Sequence, residues 1–75
     1  MRKTILITGA SSGIGKATAL HFQQKGWNVI ATMRSPEKET ELNKLENIKL
    51  EKLDVLDLAS IESAITNGIS KYGKI

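Results

Sequence analysis

The segment of this 75-residue chain whose residue types and spacing point most clearly to a chemical role is glycine- and serine-rich. It comprises residues 8–15, Thr-Gly-Ala-Ser-Ser-Gly-Ile-Gly. A β-branched apolar run at residues 5–7 precedes it, and residues with helical apolar spacing follow it. The first N–H groups of a helix lack intrahelical partners and carry the positive end of the helix dipole, so they attract phosphate oxygens. The segment therefore predicts a phosphate-binding turn, which in a doubly wound sheet receives the pyrophosphate of a dinucleotide. A tight strand-to-helix turn without a ligand is the alternative.

Each glycine of this segment has its own predicted task. Gly9 lets the chain turn sharply off the strand, because glycine adopts a positive φ without steric cost. Gly13 lets the backbone approach a phosphate with no Cβ in the way, and Gly15 lets the following helix pack closely on the sheet. Ser11 and Ser12 can add hydroxyl donors beside the backbone N–H groups.

The apolar pattern along the rest of the chain alternates between strand and helix. The predicted strands are residues 3–8, 28–33 and 48–53, and the predicted helices are residues 13–25, residues 36 to about 44, and the stretch after Asp57. Gly26 is the predicted stop of the first helix, and Asp57 is the predicted cap of the third. Ser35 and Pro36 begin the second helix, as cap and first helical residue. Gly68 lies inside the third helix and weakens it.

Composition excludes several classes of function. The chain has no cysteine and a single histidine, His21, which excludes disulfides, thiolate metal sites and histidine metal clusters. The 11 basic and 8 acidic residues give a net charge of +3, but they interleave and form no basic stripe, so we expect no nucleic-acid partner. The short apolar runs predict no membrane span, and we expect a cytoplasmic protein.

The glycine spacing, Gly-x3-Gly-x-Gly, makes this chain resemble the short-chain dehydrogenase/reductase family, whose cofactor motif residues 8–15 match at every defined position. Residues 29–34 resemble that family's second strand, and residues 53–55 its adenine-contacting segment. Residues 72–75 look like the approach to its fourth strand. The resemblance implies an α/β fold, a Rossmann-type three-layer doubly wound parallel sheet, here only its first half with strand order 3-2-1. It also implies hydride transfer between a nicotinamide and a carbonyl or alcohol substrate.

The end of the second predicted strand bears on the choice of cofactor. NAD enzymes usually place there an acid that binds the adenosine ribose hydroxyls, whereas here Thr32 and Met33 are followed by Arg34. A guanidinium attracts a 2′-phosphate, so we expect NADP(H) over NAD(H), with a solvated loop arginine as the alternative. The resemblance implies that Asp54 meets the adenine amino group beside the backbone of Val55; alternatively, Asp54 only caps its loop. The predicted cofactor-binding residues are Gly9, Ser11, Ser12, Gly13, Ile14, Gly15, Arg34, Asp54 and Val55.

The chain carries no predicted catalytic residue. The resemblance implies a serine and a Tyr-x3-Lys pair, but Tyr72 and Lys74 are spaced Tyr-x-Lys and lie too early in the chain. We therefore expect residues 1–75 to be the N-terminal cofactor-binding portion of a longer oxidoreductase, ending before the fourth strand. A dinucleotide-sensing module and an inactive structural fragment are the alternatives. A first strand left at an edge predicts a homo-oligomer. For Lys16, just inside the first helix, we expect either contact with phosphate or, more simply, solvation.

Overall fold

The computed structural model describes residues 2–75, which form a parallel sheet of three strands. The strands are β1 (Thr4–Ile7), β2 (Asn28–Met33) and β3 (Ile48–Lys52), hydrogen-bonded in the order β1-β2-β3. Helix α1 (Gly13–Gln24) connects β1 to β2, and helix α2 (Leu58–Tyr72) follows β3. The parallel register brings the carboxyl ends of all three strands to one edge of the sheet. The predicted α/β class and the strand order 3-2-1 are confirmed.

The two helices cover opposite faces of the sheet. Val29 and Ala31 of β2 belong to the main buried cluster together with Ala19 of α1. Ile30, between them in sequence, is fully buried, and its Cδ1 lies beside Gly68 of α2. Because successive residues of a strand point to opposite faces, α1 covers one face of β2 and α2 covers the other. This is the three-layer arrangement of a doubly wound sheet.

Both helices begin or end where the local sequence predicts. Gly26 follows α1 with a φ of 85°, and its N–H donates to the carbonyl oxygen of Gln23 at 3.1 Å. Glycine adopts this left-handed conformation at the least steric cost, which confirms it as the helix stop. At the start of α2, the Asp57 carboxylate accepts the backbone N–H of Ala59 at 3.1 Å. Asp57 is thus confirmed as the helix cap.

The prediction of a helix after β2 is wrong. Two single 3₁₀ turns, Pro36–Lys38 and Leu42–Lys44, take its place, and Ser35 makes no side-chain capping bond. The segment is mostly polar and offers no apolar stripe that a helix could bury against the sheet. Leu42 instead buries its side chain completely from the second turn. We call residues 34–47 the β2–β3 connection.

The residues predicted as the approach to a fourth strand follow the end of α2. Gly73 has a φ of 88°, and its N–H donates to the carbonyl oxygen of Ile69 at 2.7 Å, which closes α2. Residues 73–75 have no strand conformation. Within residues 2–75, neither helix is long and apolar enough to cross a bilayer.

Candidate functional site

A cleft of about 590 Å³ opens at the edge of the sheet where the three strands end. Its lining residues come from the segments after β1, β2 and β3: Thr8, Gly9, Ser11, Met33, Arg34, Ser35, Lys38, Leu53, Asp54, Val55 and Leu56. Open α/β sheets bind their ligands outside the carboxyl ends of the strands. Ligand sites commonly have volumes of about 300–1,000 Å³, so this cleft has the place and size of a small-molecule site.

The turn between β1 and α1 owes its shape to glycine. Gly9 and Gly13 have φ angles of 64° and 60°, in the left-handed region that glycine adopts most readily. A Cβ on Gly15 would collide with the backbone carbonyl oxygen of Gly9. The N–H of Ala10 donates to the carbonyl oxygen of Thr32 at 3.0 Å, which ties the turn to the end of β2. The start of α1 therefore lies directly against the turn.

The N-terminus of α1 is open beside the cleft. Ser12 precedes the helix in an extended conformation, and its hydroxyl makes no capping hydrogen bond. A Cβ built on Gly13 would meet no atom within 4 Å, and Ile14 is 86% exposed. The first N–H groups of the helix therefore have room for an anion. Of the predicted residues in this segment, Gly9 and Ser11 line the cleft, whereas Ser12, Gly13, Ile14 and Gly15 are not among its lining residues.

The walls after β2 and β3 bring Arg34 and Asp54 together. The Arg34 side chain is 80% exposed, and its Nε lies 4.0 Å from Oδ2 of Asp54. Such an exposed ion pair is weak, so Arg34 is available to a ligand. The other carboxylate oxygen, Oδ1, accepts the N–H of Leu56 at 3.0 Å. Asp54 therefore orders its loop and also lines the cleft, beside the exposed side chains of Val55 and Leu56.

Lys38 lines the cleft although the sequence does not predict it as a site residue. In a 3₁₀ turn, with three residues per turn, positions i and i+3 lie above one another. The N–H of Lys38 donates to the carbonyl oxygen of Ser35 at 3.1 Å, so both residues share the wall that Arg34 begins. The Ser-Pro start followed by lysine three positions after Ser35 is the signal that could have found it, had the segment been assigned as a 3₁₀ turn.

Lys16 is engaged with two carboxylates and does not line the cleft. Its Nζ lies 3.0 Å from Oε1 of Glu41 and 3.6 Å from Oε2 of Glu39. The hydrogen bond to Glu41 is the main cause that raises the pKa of Lys16. The backbone hydrogen bond from Leu42 is the main cause that lowers the pKa of Glu39. Lys16 therefore pairs with acids of the β2–β3 connection while 21% of its side chain remains exposed.

Tyr72 and Lys74 lie outside the cleft. The Tyr72 hydroxyl is buried with no hydrogen-bond partner among residues 2–75, and burial raises its pKa. Lys74 is exposed. The arrangement gives these two residues no common site with the cleft residues.

The parallel sheet covered on both faces, the glycine turn after the first strand and the cleft at the strand ends define a Rossmann-type α/β protein. A family model described as short chain dehydrogenase matches residues 3–75, and the chain belongs to that family.

Named relatives agree with this family. Short-chain dehydrogenase ptmH of Penicillium ochrochloron is 46% identical over 65 residues, which cover 85% of this chain and 24% of that protein. The NADPH-dependent 1-acyldihydroxyacetone phosphate reductase of Schizosaccharomyces pombe is 41% identical over 76 residues, covering 93% of this chain and 26% of that protein. The crystal structure of a short-chain dehydrogenase from Streptomyces avermitilis matches with a TM-score of 0.83 and 33% identity, covering 99% of this chain and 28% of that one. The chain spans about a quarter of the length of these relatives.

Proposed function

We propose that this chain is the cofactor-binding portion of a short-chain oxidoreductase and that it binds NADP(H) in preference to NAD(H). The observation that carries the proposal is the exposed guanidinium of Arg34, on the cleft wall directly after β2. An acid at this place binds the ribose hydroxyls of NAD and would repel a 2′-phosphate. A guanidinium offers paired N–H donors that match phosphate oxygens.

The rest of the cofactor follows the cleft from α1 to the end of β3. In this proposal the N–H groups of Gly9 and of residues 11–15, together with the hydroxyls of Ser11 and Ser12, bind the pyrophosphate. Asp54 accepts the adenine amino group, and Val55 lies beside the ring. The open side of Gly13 and the volume of the cleft fit such a ligand. When bound, the nicotinamide supplies or accepts the hydride.

The reaction itself belongs to a longer protein in this proposal. There, hydride moves between the nicotinamide and a small carbonyl or alcohol substrate, and residues outside these 75 transfer the proton. The absence of a Tyr-x3-Lys pair from the sequence supports this division, as does the reductase name of the Schizosaccharomyces pombe relative. A dinucleotide-sensing module and an inactive structural fragment are the alternative functions.

Titration of the chain with NADPH and NADH tests the proposal, with Arg34→Ala as the variant. We expect the variant to lose about 1.5–3 kcal/mol of NADPH binding and almost no NADH binding, because the lost contact is charge-assisted. Arg2→Ala is the matched control, since Arg2 is an exposed arginine near the amino end of β1. It removes the same charge away from the cleft and should leave both affinities unchanged.

Three results would contradict parts of this proposal. Equal losses for both cofactors in Arg34→Ala would show that Arg34 acts on the structure and not on the 2′-phosphate. Tighter binding of NADH than of NADPH by the unmodified chain would reverse the cofactor preference. If the chain bound neither cofactor, the alternative that it is an inactive structural fragment would remain.

A further inference from the structure

Glu39 is the most enclosed charged side chain of the β2–β3 connection, with 5% of it exposed. Its Oε2 accepts the backbone N–H of Glu41 at 2.7 Å and that of Leu42 at 2.9 Å, and lies 3.6 Å from Nζ of Lys16. These hydrogen bonds and the nearby ammonium lower the pKa of Glu39. Hydrogen bonds to a charged acceptor are the strong ones, so this carboxylate is held firmly in place.

Lys16 joins this carboxylate to the beginning of α1. It lies in the first turn of the helix, and its Nζ also donates to Oε1 of Glu41, 25 residues away, at 3.0 Å. At the other end of α1, Nε2 of Gln23 donates to the carbonyl oxygen of Glu46 at 3.2 Å. The connection therefore runs along α1 and is attached to it near both helix ends.

The attachment at Glu39 reaches the cleft through one 3₁₀ turn. The N–H of Glu39 donates to the carbonyl oxygen of Pro36, and the N–H of Lys38 to that of Ser35, both at 3.1 Å. Lys38 immediately precedes Glu39 and lines the cleft on the same wall as Arg34. One turn of backbone thus connects the carboxylate that Lys16 contacts to the residue that lines the cleft.

We propose that Lys38 is a second cation for the 2′-phosphate and that Glu39, held by Lys16, is the positioning residue that keeps Lys38 on the cleft wall. This inference rests on the proposed function, because it needs a nucleotide in the cleft. Glu39 and Glu41 neutralise Lys16, so the positive charge on this wall comes from Arg34 and Lys38. A doubly charged phosphate binds more tightly between two cations than beside one.

Charge and position have opposite effects at Glu39, which makes the inference testable. Replacing Glu39 with glutamine removes a negative charge, and by long-range attraction alone a phosphate would then bind more tightly. If Glu39 positions Lys38, the same substitution weakens binding, because the turn loses its link to Lys16. Glu39→Asp keeps the charge and shortens the side chain, so any loss in that variant comes from position.

The experiment uses two nucleotides that differ only in the 2′-phosphate, adenosine 2′,5′-bisphosphate and adenosine 5′-monophosphate. We expect Lys38→Gln, Glu39→Gln and Glu39→Asp to weaken binding of the bisphosphate by about three- to tenfold and to leave the monophosphate unchanged. Glu37→Gln is the matched control: Glu37 is an exposed acid of the same turn that does not line the cleft. It should leave bisphosphate binding unchanged or slightly tighter.

Amide hydrogen exchange without nucleotide gives a second readout. In Glu39→Gln and Glu39→Asp, the amides of Glu41, Leu42 and Lys38 should exchange faster, while those of β2 stay protected. Unchanged exchange at Lys38, or tighter bisphosphate binding in Glu39→Gln with no loss in Glu39→Asp, would overturn the positioning role alone. Equal loss of both nucleotides in Lys38→Gln would overturn Lys38 as a 2′-phosphate contact. Binding of neither nucleotide by the unmodified chain would instead be the failure of the proposed function, and the inference would fall with it.

Discussion

Gly13 and Gly26 share one backbone conformation and differ in what lies near them. Their φ angles are 60° and 85°, and a Cβ built on either would meet no atom within 4 Å. Gly13 begins α1 beside the cleft, whereas Gly26 follows the other end of the helix. A side chain at either position causes a similar backbone strain, of about 1–2 kcal/mol. Only at Gly13 would that side chain enter the place proposed for the pyrophosphate.

Gly13→Val should therefore abolish binding of both NADPH and NADH, because a branched side chain would occupy the place of the phosphates. Gly13→Val and Gly26→Val should lower the free energy of unfolding by similar amounts, but Gly26→Val should leave cofactor binding intact. Calorimetric titration gives the affinities, and urea unfolding gives the stabilities. Unchanged cofactor binding in Gly13→Val would overturn the assignment of this turn to the pyrophosphate.

At the scale of elements, Gly68 decides how closely α2 approaches the sheet. Glycine inside a helix is less favourable than alanine by about 1 kcal/mol, so local preference alone favours alanine at this position. A Cβ on Gly68, however, would collide with Cδ1 of Ile30, so that this fully buried side chain or the helix would have to shift. The close contact between α2 and β2 thus accounts for a glycine that appears in the sequence only as a weak point.

Gly68→Ala should consequently destabilise the chain by about 1–3 kcal/mol despite its better helix propensity. In a chain that already carries Ile30→Val, Gly68→Ala should cost less stability than it does in the unmodified chain, because valine lacks the Cδ1 methyl that would collide. Urea unfolding of the four chains in this cycle measures the coupling. Greater stability of the single Gly68→Ala variant would mean that α2 shifts away from the sheet at no cost.

At the scale of the whole molecule, β1 and β3 are the two edge strands of the sheet, and β1 has exposed apolar side chains beside it. Among residues 2–75, β1 pairs with β2 alone. Beside it lies a depression of about 510 Å³ whose apolar lining is Leu6, Ile65, Ile69 and Ile75. The three isoleucines are 41–48% exposed. An unpaired strand edge next to exposed apolar side chains favours pairing with another chain.

We therefore predict that the chain self-associates, most simply as a dimer across β1. Sedimentation velocity over a dilution series should show a concentration-dependent oligomer. Ile65→Lys together with Ile69→Lys should weaken the association, since both place a charge in the depression. Ile14→Lys is the control, because Ile14 is equally apolar and more exposed but does not line the depression. A folded monomer at every concentration would contradict this prediction.

The chain alone should show no dehydrogenase or reductase turnover. None of its residues form a Tyr-x3-Lys pair, and positioned acid–base groups commonly contribute factors of about 10²–10⁴ in rate. Consumption of NADPH with small aldehydes and ketones, followed by absorbance, should equal that of a heat-denatured control. Turnover above that control would mean that other residues of the chain transfer the proton.

The glycine turn between β1 and α1 could be predicted from the sequence because its signals are local. The positive φ angles of Gly9 and Gly13, and the close approach at Gly15, need residues without a side chain, and those residues stand at a fixed spacing between a strand pattern and a helix pattern. Gly26 and Asp57 are local in the same sense, since each ends or begins a helix through neighbouring backbone groups. The strand order could be predicted from the handedness of crossovers together with the resemblance to the short-chain dehydrogenase/reductase family.

The wall after β2 was decided only by the tertiary structure. Ser35 and Pro36 carry the local signals of a helix start, yet the segment forms two short turns. The carboxylate of Glu39 holds the backbone N–H groups between those turns, and Lys16 meets it from a helix far away in sequence. A mostly polar segment buries too little apolar surface for its local sequence to fix its conformation, so contacts with distant elements fix it. For that reason the strand order, the glycine turn and the place of Arg34 directly after β2 could be predicted from the sequence. Only the folded chain brings Lys38 to the cleft.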